Sequence, residues 1–340
     1  DREEKYVRPA IERAGKLFGK RVRRDDDRAA TAARLQSDVA GDGIAQADLI
    51  IEAIFENLEA KQALYGKLAA QMKPGALLAT NTSSIRLEEL RSVLPDPQRF
   101  IGLHFFNPVA ALPLVEVIRC ADTEQEALDL GFAFVKGIGK LPLECLSAPG
   151  FVVNRILAPY MNEAMQLVEA GVPLVAIDRA AERFGMPMGP VELVDSVGID
   201  VALHVSKVLS AATGRPLPPR LESMVDGGRL GRKSGQGFYQ WVEGKAVKPD
   251  PGSTQVPADI EDRLILPMVN EAVACLADGI VADEELLDAG VIFGTGFAPF
   301  RGGPIRYARD RGVDTVVAAL ERLAAAHGER FTPHPGWSKM

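Results

Sequence analysis

The chain has 340 residues, 47% hydrophobic, 25% charged and 6% aromatic, a composition that excludes a disordered or fibrous protein and allows two or three domains. Its 39 Lys and Arg against 46 Asp and Glu leave a formal charge of −7, an acidic balance that argues against a nucleic-acid footprint. The cysteines Cys120, Cys145 and Cys275 lack CxxC or Cys/His spacing, which fits a reducing cytoplasm rather than a disulfide framework or a zinc site, and no apolar run nears the roughly 20 residues that cross a bilayer.

Residues 2–40 are Ala, Arg, Glu and Lys-rich and are expected to be helical, with the basic run Lys16 to Arg24 as a solvated face. The chain starts at Asp1 without methionine and reads as a fragment. Short apolar runs then follow at 47–54, 75–83, 99–106, 114–120 and 140–145, with the length and boundaries of buried strands. Helical patterns at 58–72 and 123–139 alternate with them, so 1–147 is expected to form an α/β domain around a largely parallel sheet. From about Ala148 the strand signals fade. Residues 148–247 read as a helical domain closed by the turn-rich "GGRLGRKSGQGFYQW", and a polar, Pro-containing stretch links it to a second helical domain at 256–340.

The two helical parts repeat. "NRILAPYMNEAMQLVEAG" (154–171) aligns with "DRLILPMVNEAVACLADG" (262–279), matching Arg155 with Arg263, Glu163 with Glu271 and Gly171 with Gly279. The register carries on through Gly189-Pro190 with Gly303-Pro304 and Gly198 with Gly312, as expected for two copies of one module packed on each other.

Of the four histidines, His204, His327 and His334 read as structural or solvated. His104 differs, because it closes a predicted strand just before Asn107-Pro108, where open α/β sheets bind ligands. Alone it reads as a core histidine. Glu116 lies in the next strand, however, where a charge needs a partner, and an imidazole paired with a carboxylate is a suitable general base. The run "TNTSS" (80–84) either caps the following helix or turns Ser83 toward a ligand, and Asn154 opens the first helix after the domain boundary. No glycine-rich phosphate loop occurs: "GDGIAQ", "GIGKLP" and "GTGFAP" each lack the third glycine and the strand-to-helix context.

Taken together, "IIEAIFENLEAKQALYGKL", "LLATNTSSIRLEEL", "RFIGLHFFNPV", "LVEVIR", "PGFVVNRIL", "GMPMGPVELVDSVGID" and "LGRKSGQGFYQW" resemble the L-3-hydroxyacyl-CoA dehydrogenase family, in the form fused into the multifunctional fatty-acid β-oxidation enzyme. The resemblance implies an incomplete Rossmann-type doubly wound sheet followed by two repeated all-α domains, and NAD-dependent oxidation of (3S)-3-hydroxyacyl-CoA to 3-oxoacyl-CoA. It implies His104 as catalytic base and Glu116 as its orienting carboxylate, with Ser83 and Asn154 positioning the substrate. For the cofactor it points to Ile54, Phe55, Glu56, Lys61, Ser83, Asn107 and Lys233, and to Asp1 as the acid that binds the adenosine ribose. An upstream enoyl-CoA hydratase domain and a thiolase subunit are the implied partners.

Family members begin with a strand, a GxGxxG turn and a second strand, which are missing here. The remaining central strand is therefore expected to have a bare edge, and the chain to bind NAD weakly. The second copy carries Asp262 where the first has Asn154, and reads as a structural partner that takes the place of a second subunit. Two other readings compete: a non-catalytic acyl-CoA-binding or structural relative of the same fold, and a dehydrogenase for another hydroxy acid.

Overall fold

A computed structural model describes residues 3–214, 219–250 and 256–340. The first helices are α1 (Glu4–Arg21) and α2 (Asp25–Ala33). They pack on each other and bury no residue, so the basic run of α1 is solvated as its composition suggests. The expected helix does not continue to residue 40, because Asp38 instead folds the chain into a turn by accepting the amides of Gly41, Asp42 and Gly43.

The α/β part follows as β1 (Leu49–Glu52), α3 (Leu58–Ala69), β2 (Leu77–Thr80), α4 (Leu87–Leu90), β3 (Ile101–Phe105), β4 (Leu114–Arg119), α5 (Gln125–Gly137) and β5 (Leu141–Leu146). All five apolar runs become strands of one sheet in the order β1-β2-β3-β4-β5. Three of the four strand pairs are parallel, as expected of a largely parallel sheet, and β3 and β4 are antiparallel. The reason is the short connection from Phe106 to Pro113. A parallel return needs a crossover of a dozen or more residues, so the chain can only reverse. Among the described residues β1 pairs with β2 alone, and Leu49 to Ile51 are half-buried.

Alternate strand residues serve two cores. Ala79, Leu103, Val115 and Val117 face α5, while Leu78, Leu114, Ile118 and Leu143 join the larger core of the helical part. That part comprises α6 (Val153–Glu169), α7 (Leu174–Phe184), α8 (Pro190–Val197), α9 (Ile199–Thr213), α10 (Pro219–Asp226), a hairpin of β6 (Gln240–Val242) and β7 (Lys245–Val247), then α11 (Ile260–Ala277), α12 (Glu284–Thr295), α13 (Pro304–Arg311) and α14 (Val313–His327). Helix α12 lies on the sheet through Gly290 and Gly294, where an added Cβ would sit 2.5 Å from Leu143 and from Val153 respectively. No helix among the described residues is long and apolar enough to cross a membrane.

The repeat is visible as packing. Helices α6 and α11 lie against each other, and the aligned residues exchange ion pairs: Arg155 donates to Glu271 at 2.7 Å, and Arg263 donates to Glu163 at 2.8 Å. Each copy also has a buried acid that accepts an amide at the start of its third helix, Asp178 from Val191 and Asp288 from Ile305, both at 2.8 Å. Gly189 and Gly303 let these acids approach, since a Cβ there would lie 2.2 Å and 2.4 Å from Asp178 and Asp288. Among the described residues only the first copy carries the hairpin, which hangs on Asp195 through the amides of Phe238 and Tyr239 and the indole of Trp241.

Candidate active site

The C-terminal ends of β1, β2 and β3 lie side by side, and β4 returns against β3 so that Glu116 stands opposite His104 in register. Directly opposed residues of an antiparallel pair point to the same face. Nδ1 of His104 is 2.6 Å from Oε2 of Glu116, with both side chains buried. A carboxylate only accepts, so Nδ1 carries the proton and Nε2 is left as the basic nitrogen. The other oxygen, Oε1, accepts the amides of Val152 at 3.0 Å and Val153 at 2.8 Å, where α6 begins. A helix start favours an anion, so Glu116 is fixed at both oxygens before the imidazole needs it.

Phe151, immediately before these amides, has φ 51°, a left-handed conformation rare for a bulky residue. Its ring is buried and lies 5.7 Å from the His104 ring, while Phe106 meets the same imidazole edge-on at 4.6 Å. The strained turn thus packs the imidazole and aims two N–H groups at its carboxylate.

Ser83 is placed by Glu56. Oε1 of Glu56 accepts the Thr82 hydroxyl at 2.6 Å, the Ser83 amide at 2.9 Å, and the Ser84 amide and hydroxyl at 3.1 and 3.0 Å. Burial raises the pKa of this carboxylate, but the Thr82 hydroxyl, Lys61 and the Ser83 and Ser84 donors outweigh it and hold the group below its ordinary value. The "TNTSS" run is therefore a carboxylate-bound turn and not the cap of α4. The amide of Leu87, first in α4, instead donates to the Ser147 hydroxyl.

Lys61 is 1% exposed, and its ammonium is taken up by Glu52 at 2.7 Å and Glu56 at 3.3 Å. Glu52 also accepts the hydroxyls of Tyr65 at 2.5 Å and Thr80 at 2.8 Å. Burial, followed by the bond to Glu52, pushes the Tyr65 phenol upward. Lys61 therefore ties the two acids, Glu52 and Glu56, together inside the protein. Ile54 is half-buried and Phe55 is 66% exposed at the end of β1.

Asn154 stands on the first turn of α6, and its amide reaches the Ser83 carbonyl at 3.5 Å, so His104, Glu116, Ser83 and Asn154 are gathered where sheet and helices meet. Asn107 is exposed beyond the end of β3. Lys233 is held by Asp200 at the start of α9, with Nζ 2.6 Å from Oδ2. Asp1 lies outside the described residues. Asn81, which sequence reasoning passed over, ties the strand ends together by accepting the Phe105 amide at 2.9 Å. His204 is exposed, His327 pairs with Asp259 at 2.8 Å, and His334 accepts the Gly336 amide at 3.1 Å. Among the described residues no cluster of three or more His, Cys, Asp or Glu is arranged to hold a metal ion.

A buried His–Glu pair at the strand ends of an α/β sheet, beside a helical domain, fits the class of α/β dehydrogenases. Residues 1–148 match the NAD binding domain of 3-hydroxyacyl-CoA dehydrogenase, and residues 150–241 and 260–340 each match its C-terminal domain. The chain belongs to the 3-hydroxyacyl-CoA dehydrogenase family, whose members are NAD-dependent oxidoreductases. It is 39% identical to the fatty acid oxidation complex subunit alpha of Idiomarina loihiensis, across 98% of this chain and 50% of that one. A second such subunit, from a Shewanella species, is 37% identical and again covered over 51% of its length, so the chain spans about half of these relatives. Among solved structures, the 3-hydroxybutyryl-CoA dehydrogenase of Escherichia coli superposes with a TM-score of 0.87 at 28% identity, covering 100% of this chain and 91% of that one.

Proposed function

We propose that the chain oxidises (3S)-3-hydroxyacyl-CoA to 3-oxoacyl-CoA in fatty-acid β-oxidation, with NAD as hydride acceptor. The observation that carries this reading is the His104–Glu116 pair, whose carboxylate is anchored to the start of α6. Nε2 of His104 takes the proton of the 3-hydroxyl, and Glu116 stabilises the imidazolium that forms. The Ser83 hydroxyl and the Asn154 amide hold the substrate oxygens beside that nitrogen. NAD, when bound, supplies the two-electron acceptor. The exposed Phe55 ring beside the Glu56-organised Ser83 turn offers it an apolar face next to hydroxyl and amide donors, which suits a nicotinamide ring. Ile54, Asn107 and Lys233 complete the proposed cofactor contacts, and Lys61 orders Glu56.

The domain matches support three units, 1–147, 148–247 and 256–340, the last a structural copy. The length of the relatives supports a place within a longer, multifunctional chain, for which our reading adds an enoyl-CoA hydratase domain, a thiolase partner and a cytoplasmic location. The test is turnover of 3-hydroxybutyryl-CoA at millimolar NAD by the chain and by His104→Gln. The variant should retain the fold and lose about 10²-fold to 10⁴-fold in kcat/KM. Equal turnover by the unsubstituted chain and by His104→Gln would favour the non-catalytic reading.

A further inference from the structure

We propose that the second helical copy takes part in the reaction through Glu271 and Asp278, positioning residues that hold the start of α6 on Glu116, an inference that rests on the dehydrogenase reading above. Residues 146–155 leave β5 and enter α6, and within them the amides of Val152 and Val153 reach Glu116 at 3.0 and 2.8 Å. The same segment carries Phe151 at φ 51°. A bulky residue keeps that backbone only where its surroundings fix it.

The second copy fixes the segment at both ends. The amide of Leu146, last in β5, donates to the Ile280 carbonyl at 2.9 Å. At the other end the Arg155 guanidinium donates to Glu271 through Nε and to Asp278 through Nη2, each at 2.7 Å. Asp278 and Ile280 flank Gly279, whose φ of 68° makes the turn that ends α11, so one three-residue turn holds the two ends together. Glu271 lies two helical turns before Asp278 on the same face, and the planar fork of Arg155 bridges them. Helix α12 closes the junction from the side, since a Cβ at Gly294 would sit 2.5 Å from Val153 and 3.0 Å from Leu114.

The repeat shows which of these bonds is particular to the site. The mirror pair of Arg263 with Glu163 is present, but Ala170 stands where Asp278 does, so the second arm exists only on the side of the acid–base pair. Glu163 lies about 15 Å along α6 from Val153. At the start of α11, Asp262 takes the place of Asn154 and is bound within its own copy by Arg311, at 2.6 and 2.7 Å. One helix start is thus braced by the other copy and aimed at a carboxylate, while its counterpart closes on itself. A misplacement of about 1 Å can cost about 10²-fold in rate, so bracing that adds little stability can still govern turnover.

The test uses the chain labelled with ¹⁵N-histidine, in which the His104 Nδ1 proton, assigned through its loss in His104→Gln, reports the bond to Glu116. The Asp278 side chain is 44% exposed, so Asp278→Ala keeps the fold. In Asp278→Ala and Glu271→Gln the proton should move upfield and exchange with water about tenfold faster. Both variants should lose about tenfold in kcat on 3-hydroxybutyryl-CoA with KM unchanged, because the pair acts in the transition state. Asp278→Glu, which keeps the carboxylate, should restore both readouts. Asp262→Asn, which breaks the ion pair with Arg311, should lower the melting temperature and leave both readouts in place. A signal unmoved in Asp278→Ala and Glu271→Gln overturns the inference and leaves the dehydrogenase reading standing. A signal that moves as far in Asp262→Asn also overturns it, since general loosening then accounts for the change, and so does a moved signal with kcat unchanged in a chain whose turnover depends on His104. A signal moved only in Asp278→Ala and Glu271→Gln, with equal turnover by the unsubstituted chain and His104→Gln, supports the positioning and overturns the dehydrogenase reading.

Discussion

Val153 and His104 grip the same carboxylate from opposite sides: the amide of Val153 reaches one oxygen of Glu116 at 2.8 Å and the imidazole reaches the other at 2.6 Å. The first helical turn of one unit is thereby bonded to the acid–base pair of the other. Glu116→Gln keeps the shape but leaves an amide that cannot stabilise an imidazolium. We expect kcat to fall by about 10²-fold or more, with the melting temperature lowered because two amides lose an anionic acceptor. The Glu116→Gln, His104→Gln double variant should be little worse than His104→Gln alone, since the two act as a unit. Additive losses in steady-state kinetics would mean that Glu116 acts elsewhere.

Glu56 gathers the donors of three consecutive residues, Thr82, Ser83 and Ser84. Glu56→Ala leaves the buried Thr82 and Ser84 and the half-buried Ser83 without their acceptor, and we expect a loss of about 2 to 4 kcal/mol in chemical denaturation. The Ser83 turn should loosen, and if it holds the ligands as proposed, KM for both substrates should rise more than kcat falls. Because the folded-state pKa is depressed, this carboxylate stabilises the fold above its ordinary value near 4.5 and the benefit is lost as pH falls through the lower one. An alanine variant that retains wild-type stability at neutral pH would show that the turn is held by other means.

The sequence makes some of this legible and hides the rest for physical reasons. Each strand could be read from its own apolar run, because burial is a local property of a few residues. A charged Glu116 in such a run demands a partner, so the pair with His104 follows from desolvation alone. The direction of β4 was equally open to reading, in the shortness of the Phe106 to Pro113 connection. Glu56 was different. Its donors lie 26 to 28 residues away, and nothing in a one-dimensional pattern brings them to one oxygen. The same holds for Phe151, whose left-handed backbone no propensity suggests, and for Arg311, whose meaning appears only when it is seen bonded to Asp262.

Asp178 and Asp288 are the matching buried acids of the two helical copies, and burial pushes both up to about 6 from an ordinary 3.8. Tyr239, Lys248 and the Val191 amide oppose that shift at Asp178, as the Ile305 and Arg306 amides do at Asp288, without cancelling it. A carboxyl with a raised folded-state pKa holds its proton more tightly in the folded than in the unfolded chain. Its contribution is therefore complete below the unfolded value and is lost as pH rises through 6. Other groups titrate in the same range, so the informative quantity is the difference between the protein and its Asn variants. Between pH 4 and pH 7.5, Asp178→Asn and Asp288→Asn should each gain about 1 to 3 kcal/mol on the unsubstituted chain in urea unfolding, because the amide has no proton to lose. A difference that stays constant across the range would mean that the helix-start amides keep both acids ionised, and that burial is the weaker influence at these two sites.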